Sequence, residues 1–207
     1  MTFASRAEAG RRLGTYLREQ GVEPALVLGL PRGGVVVAAA VARALQRPLD
    51  ALIVRKLGHP RHREFAVGAL AEPDVVVLDT AAAELPARLH GELEEVIAEE
   101  RQRLAHYQAR FHPAGNPDLA SKEVLLVDDG LATGASMEAA VRAARQQGAR
   151  RVVVAVPVAA SEAFDRIARV ADQVKALVVD PDFDAVGCYY ESFAQTTDEE
   201  ALELLGL

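Results

Sequence analysis

Short apolar runs alternate with helix-period segments along most of this chain, and that alternation leaves few folds open. A run of about four to eight apolar residues bounded by turn residues suits a strand buried on both faces. Strands of that kind, each followed by a helix, build a parallel sheet. The runs are Ala25–Leu30, Leu49–Val54, Phe65–Ala71, Val75–Leu78, Val124–Val127, Val152–Val158 and Val174–Val179. Helices are predicted over Phe3–Glu19, Val35–Leu45 and Ser136–Gln147, the last with Gly148 just past its end. Another is expected from Ser161, as its cap, through Val170. Thr197-Asp198-Glu199-Glu200 has capping-box spacing for a short final helix.

One helical pattern is unusually long. From Leu85 to Phe111, apolar residues Leu85, Leu89, Leu93, Val96, Ile97, Leu104, Tyr107 and Phe111 recur mostly at three- and four-residue steps. A helix of that length spans roughly 40 Å. Packing within the monomer, closing as a lid and making a dimer contact are all open to it. The expected architecture is α/β, with a mainly parallel central sheet flanked by helices. One domain covers residues 1–207, with a core over 25–179, a helical insertion over 84–112 and a C-terminal hood over 180–207.

Composition removes some functions. Half of the 207 residues are hydrophobic, enough for a sizeable core. No run approaches the roughly 18 apolar residues of a membrane span. The segment Met1–Arg6 has no apolar signal region, so a cytoplasmic protein is expected. Cys188 is the single cysteine, which excludes an intrachain disulfide and fits a small apolar filler. A net charge of −7 disfavours generic binding to nucleic acid or an anionic membrane, yet leaves room for a local cationic pocket. The five histidines show no metal-ligand spacing.

The segment that carries chemistry is Val124-Leu125-Leu126-Val127-Asp128-Asp129-Gly130-Leu131-Ala132-Thr133-Gly134-Ala135-Ser136. In open α/β sheets, ligands bind beyond the carboxyl ends of the strands, where this loop must lie. Its turn can offer successive backbone N–H groups to a phosphate, backed by the positive end of the helix that follows. Thr133 and Ser136 add hydroxyls, and Asp128 and Asp129 suit sugar hydroxyls or a metal ion. A second turn, Gly29-Leu30-Pro31-Arg32-Gly33-Gly34, also opens a helix with glycines, and Arg32 can fork an anion. Arg55-Lys56 ends the next run and leads into a basic loop from His59 to Glu64. Lys56 is one of three lysines, with Lys122 and Lys175.

The strand, acidic pair and Thr-Gly loop resemble the phosphoribosyl-pyrophosphate motif of type I phosphoribosyltransferases. The resemblance covers about residues 25–179 and leaves out the long helix. It implies that Asp128 and Asp129 bind the ribose 2- and 3-hydroxyls and act in catalysis. It implies that Gly130 also binds the substrate and that Ala132, Thr133, Gly134, Ala135 and Ser136 wrap the 5-phosphate. It places pyrophosphate at Arg32 and Gly33, in a loop that often holds a non-proline cis peptide, and at Lys56 after the second strand. The family's flexible lid falls near Arg61, Arg63 and Glu64, with Glu64 a candidate general acid or base. Tyr190 and Phe193, in a C-terminal hood, are candidates to stack on a flat acceptor. The implied cofactor is Mg2+, the partners are 5-phosphoribosyl pyrophosphate and a nucleobase-like acceptor, and the assembly is a homodimer.

Ala132 departs from the hypoxanthine–guanine pattern, which carries an Asp there; the Ala-Thr-Gly version resembles adenine- and uracil-type members. The run Val54-Arg55-Lys56-Leu57-Gly58-His59-Pro60 and the tail Tyr189–Gln195 resemble a little-characterised bacterial subgroup. The rival readings are a non-catalytic ribose-phosphate-binding or regulatory protein on the same fold, and a phosphoacceptor receiver domain. The receiver reading fits poorly, because its acidic cluster follows the first strand and this one lies deep in the chain.

Overall fold

A computed structural model describes residues 2–207. The elements run in chain order as α1 (Arg6–Glu19), β1 (Leu26–Gly29), α2 (Gly33–Leu45), β2 (Leu49–Ala51), β3 (Val54–His59), β4 (His62–Ala71) and β5 (Val75–Leu78). Then follow α3 (Thr80–Ala83), α4 (His90–Phe111), β6 (Glu123–Val127), α5 (Ala135–Gln146), β7 (Arg151–Ala160), α6 (Ser161–Ala168), β8 (Gln173–Asp180) and α7 (Asp198–Leu205). The central sheet has the order β2-β1-β6-β7-β8 and every pairing in it is parallel.

From β1 the chain moves outward to β2, then returns to place β6 on the other flank of β1. The switch point between β1 and β6 is where open parallel sheets bind ligands. The inner strands β1, β6 and β7 are almost wholly apolar because helices cover both faces: Leu28, Leu126 and Val154 pack toward α5, while Val27, Leu125 and Val153 pack toward α1 and α2.

Four expectations need correction. The first helix begins at Arg6 with Ser5 as its cap, not at Phe3, which instead pairs with Tyr190 in an isolated bridge. The run Leu49–Val54 is not one strand: β2 stops at Ala51, and Val54 starts a separate antiparallel sheet, β3-β4-β5. The basic segment from His59 to Glu64 is no open loop but the tip of the β3–β4 hairpin, turning at Pro60 and Arg61. Its charge is matched by the glutamates of α4, with Arg61 on Glu92 at 2.9 Å and Arg63 on Glu99 at 3.2 Å. Ser161 is the first residue of α6 rather than its cap; the cap is Ala160.

The long helix packs within the monomer. A short 3₁₀ turn (Ala87–Leu89) precedes α4, and Leu89, Leu93, Ile97, Leu104 and Phe111 bury themselves against Leu57, Val67 and Leu70 of the small sheet. Residues 181–197 carry a 3₁₀ turn (Val186–Tyr189) and lead into α7, whose capping box joins Thr197 and Glu200 as expected. Among the described residues no helix is long and apolar enough to cross a membrane.

Candidate active site

The loops after β1 and β6 meet at the switch point and wall a cavity of about 450 Å³. Arg32, Gly33, Lys56, Asp128, Asp129 and Ser136 all line it, so residues from three distant segments share one space. The Pro31–Arg32 peptide is cis. Gly33 and Gly34 open α2 directly against the acidic pair. A Cβ on Gly33 would lie 2.2 Å from Asp129 Oδ2, and one on Gly34 would lie 2.8 Å from Asp128 Oδ1. Any side chain there would displace the carboxylates; the two glycines exist so that helix and acids can touch.

Asp128 sits deep in the cavity wall. Burial and then the neighbouring Asp129 charge hold its carboxyl well above the usual carboxylate range, against the Asp129 amide, Lys56 and Arg6. Its Oδ1 accepts from the Asp129 N–H at 2.8 Å. Asp129 is clamped from three sides. Its Oδ2 meets Arg6 Nε at 2.6 Å, its carbonyl accepts the Tyr190 hydroxyl at 2.6 Å, and Gly33 lies beneath. Arg6 in turn donates to the Ala194 carbonyl at 2.7 Å and stacks 3.7 Å above the Phe193 ring. Tyr190 is buried, with burial and then Asp129 pushing its hydroxyl far up. Its ring packs with Phe3 and Phe193. Removing that hydroxyl in Tyr190→Phe should cost about 1 kcal/mol of stability, a typical single hydrogen bond, read by denaturant unfolding. An unchanged midpoint would show that the bond contributes nothing.

Residues 130–136 follow the pair. Leu131 is stitched to β7 by bonds to Val158 and Ala160, which fixes where the loop leaves the sheet. Gly134 takes φ +79, a left-handed value, and caps α5 through its backbone. Ala132 and Thr133 are exposed, Gly134 and Ala135 are buried. Among the described residues, the amides of Ala132, Thr133, Gly134 and Ser136 donate to no backbone carbonyl. Such a run of free N–H groups at a helix start is an anion cradle.

Four cations face the cavity: Arg6, Arg32, Arg55 and Lys56. Arg55 is anchored on buried Glu100 at 2.9 Å and lies over the Tyr107 ring. Arg32 reaches Asp198, 3.5 Å away at the start of α7. Glu64 lies elsewhere: it is 80% exposed in the β3–β4 hairpin and does not line the cavity. Gly130 packs under Val186 of the tail. Arg6, Tyr107, Gln195 and Thr196 line the cavity without having been singled out in the sequence. Arg6 carried no signal, since an arginine in the first turn of a helix reads as a solvated charge. The acidic pair fits oxygen-ligated magnesium, which typically takes one or two carboxylates and completes its shell with substrate oxygens. Asp128 and Asp129 supply the two; among the described residues no cluster of three or more ligating side chains exists.

Comparison with known proteins agrees with this geometry. A family model, the phosphoribosyl transferase domain, matches residues 5–192. A Mycobacterium tuberculosis H37Rv protein, provisionally named a phosphoribosyl transferase, is 41% identical over 207 residues. That match takes in 98% of this chain but 46% of the relative, so the chain spans about half the length of the curated relatives it matches. A solved protein of Thermus thermophilus is 46% identical, with a TM-score of 0.79 over 99% of this chain and 98% of that one. A protein of Aquifex aeolicus, 14% identical with a TM-score of 0.53 over 84% of this chain and 74% of its own, shares the fold. With the motif loop, the parallel sheet and the family match in agreement, this chain belongs to the phosphoribosyl transferase family.

Proposed function

We propose that the chain binds 5-phosphoribosyl pyrophosphate with magnesium and transfers the phosphoribosyl group to a nitrogen nucleophile, releasing pyrophosphate. The observation that carries this is the meeting of Asp128, Asp129 and Ser136 with Pro31, Arg32 and Gly33 on one cavity that pairs two carboxylates with four cations. The amides of Ala132, Thr133, Gly134 and Ser136 cradle the 5-phosphate. Asp128 and Asp129 accept from the ribose hydroxyls and fix the sugar. Arg32, Lys56 and the amides opening α2 receive the pyrophosphate.

In the reaction the anomeric C–O bond to pyrophosphate breaks, the pyrophosphate oxygen leaving with the bonding pair, and a C–N bond forms; the proton lost by the acceptor nitrogen is taken up by the released pyrophosphate. Asp128 and Asp129 would hold a magnesium ion jointly with substrate oxygens; the ion supplies neutralisation of the leaving charge. The rest of the work is positioning and electrostatics by preorganised groups. Arg6 is the residue that must yield, because it occupies Asp129 Oδ2, one of the oxygens the ribose needs.

The acceptor is a small, nucleobase-like molecule. It enters where the cavity adjoins a second one of about 600 Å³, shared through Arg6, Gln195 and Thr196. A non-catalytic binding protein is the second reading. It is favoured by Ala132, which offers no carboxylate, and by the distance of Glu64 from the cavity. Pyrophosphate release assayed over a panel of nucleobases and amines separates the two. Release dependent on one acceptor supports transfer, and saturable substrate binding without release on any acceptor supports the alternative.

A further inference from the structure

The phosphate loop has a back face as well as a ligand face, and one side chain grips it there. Arg166 of α6 donates from Nη1 to the Thr133 carbonyl at 3.2 Å. Its Nε donates to Glu138 Oε2 at 2.7 Å, and Nη1 lies 2.6 Å from Asp79 at the end of β5. Glu138 is itself buried and takes two further bonds from Arg142, at 2.9 and 2.6 Å. Carboxylates therefore fix the guanidinium at Nε and Nη1, and Nη1 is shared between Asp79 and the loop carbonyl.

The Thr133–Gly134 peptide makes this contact consequential. A trans peptide is planar, so its C=O and its N–H point in opposite directions. Both cis peptides in the described chain lie elsewhere, at Pro31–Arg32 and Glu72–Pro73. Holding the Thr133 oxygen toward α6 turns the Gly134 N–H away from α6 and toward the cradle. The same bond polarises the amide, which strengthens its N–H as a donor. Gly134 needs such a hold, since its φ of +79 belongs to the residue type with the greatest backbone freedom. Packing confirms how close the two are: a Cβ on Gly134 would sit 3.5 Å from Arg166 Cδ and 3.4 Å from Ile167 Cδ1.

We infer that Arg166 is a positioning residue that aims the Gly134 amide at the substrate's 5-phosphate from behind the loop, an inference that rests on the phosphoribosyl-binding reading above. It touches neither the ribose side nor the pyrophosphate side of the cavity, so its influence is confined to one end of the ligand.

That confinement sets the test. Ribose 5-phosphate and magnesium pyrophosphate are titrated separately into wild type, Arg166→Met, Arg166→Lys and Arg142→Met, with folding checked by thermal unfolding. Arg166→Met should weaken ribose 5-phosphate about tenfold, as expected for one bond to a charged donor, while pyrophosphate stays within about twofold. Arg166→Lys keeps the charge but offers one nitrogen in place of three. It should weaken ribose 5-phosphate by about threefold, and it serves if the Met variant fails to fold. Arg142→Met breaks the other pair on Glu138 without touching the loop and should leave both ligands unchanged. Equal losses for both ligands, an unchanged ribose 5-phosphate affinity in both Arg166 variants, or an equal loss in Arg142→Met would overturn the inference. Failure of the wild type to bind either ligand would instead sink the phosphoribosyl-binding reading itself.

Discussion

Asp129→Asn is expected to lower the rate of pyrophosphate release about a hundredfold, the scale on which loss of one preorganised polar contact reduces turnover. Asparagine preserves the shape of the side chain, so Gly33 still closes beneath it and Tyr190 still bonds the backbone carbonyl. What is lost is the charge that, on the proposed function, binds a ribose hydroxyl and would share a metal ion. Arg6 loses its partner too, leaving a guanidinium 11% exposed without its ion pair. The variant should therefore fold, with some loss of stability, and fail in chemistry. Initial rates of pyrophosphate release at saturating substrate check this, beside an unfolding curve. A folded variant with near wild-type rates contradicts the role given to Asp129.

The second large effect concerns stability. Glu72 is 1% exposed and accepts from the Ile53 N–H at 2.9 Å, Gln108 Nε2 at 3.1 Å and His112 Nε2 at 3.1 Å. These bonds knot β2 and β3, the β4–β5 turn and the end of α4. Glu72→Ala should cost about 3–5 kcal/mol, the usual penalty for leaving buried charged partners unpaired. For a chain of this size that lowers Tm by roughly 10 °C. Ile53 and Val54 line the cavity, so ligand affinity should fall with it.

His112 adds a pH dependence to the same knot. Burial pulls its pKa down, but the Glu72 bond and the charges of Glu72 and Asp50 prevail, and the net shift is upward. A group raised on folding contributes in full below its unfolded pKa of about 6.5, and that contribution fades as pH climbs through the raised value. The stability gap between wild type and His112→Gln should therefore narrow as pH rises above about 6.5. A gap that widens over that range would reverse the assigned protonation.

Much of the site was readable because its signals are local. The apolar strand ending in Asp128 and Asp129, the glycines at 33 and 34, and the capping box at Thr197 each sit within about ten residues, and the structure keeps each as a contiguous unit. What escaped depends on partners far apart in the chain. Arg6 meets Asp129 across 123 positions, and Glu72 meets His112 across 40. Tyr107 reads as one more apolar step of α4, yet its hydroxyl bonds Asp198 and its ring carries Arg55 at the cavity wall. The hairpin at His59–Glu64 looked like a solvated loop because only the glutamates of α4 explain its arginines. The break between β2 and β3 falls inside one apolar run, so periodicity alone had nothing to mark it.

The central claim is that the acidic pair and the loops around it form a phosphoribosyl-pyrophosphate site. Calorimetric titration with 5-phosphoribosyl pyrophosphate and magnesium, run on wild type and on Asp128→Asn/Asp129→Asn, tests it most directly. The account predicts saturable binding to the wild type that the folded double variant loses. Absence of binding to folded wild type, or equal binding by both proteins, would contradict it.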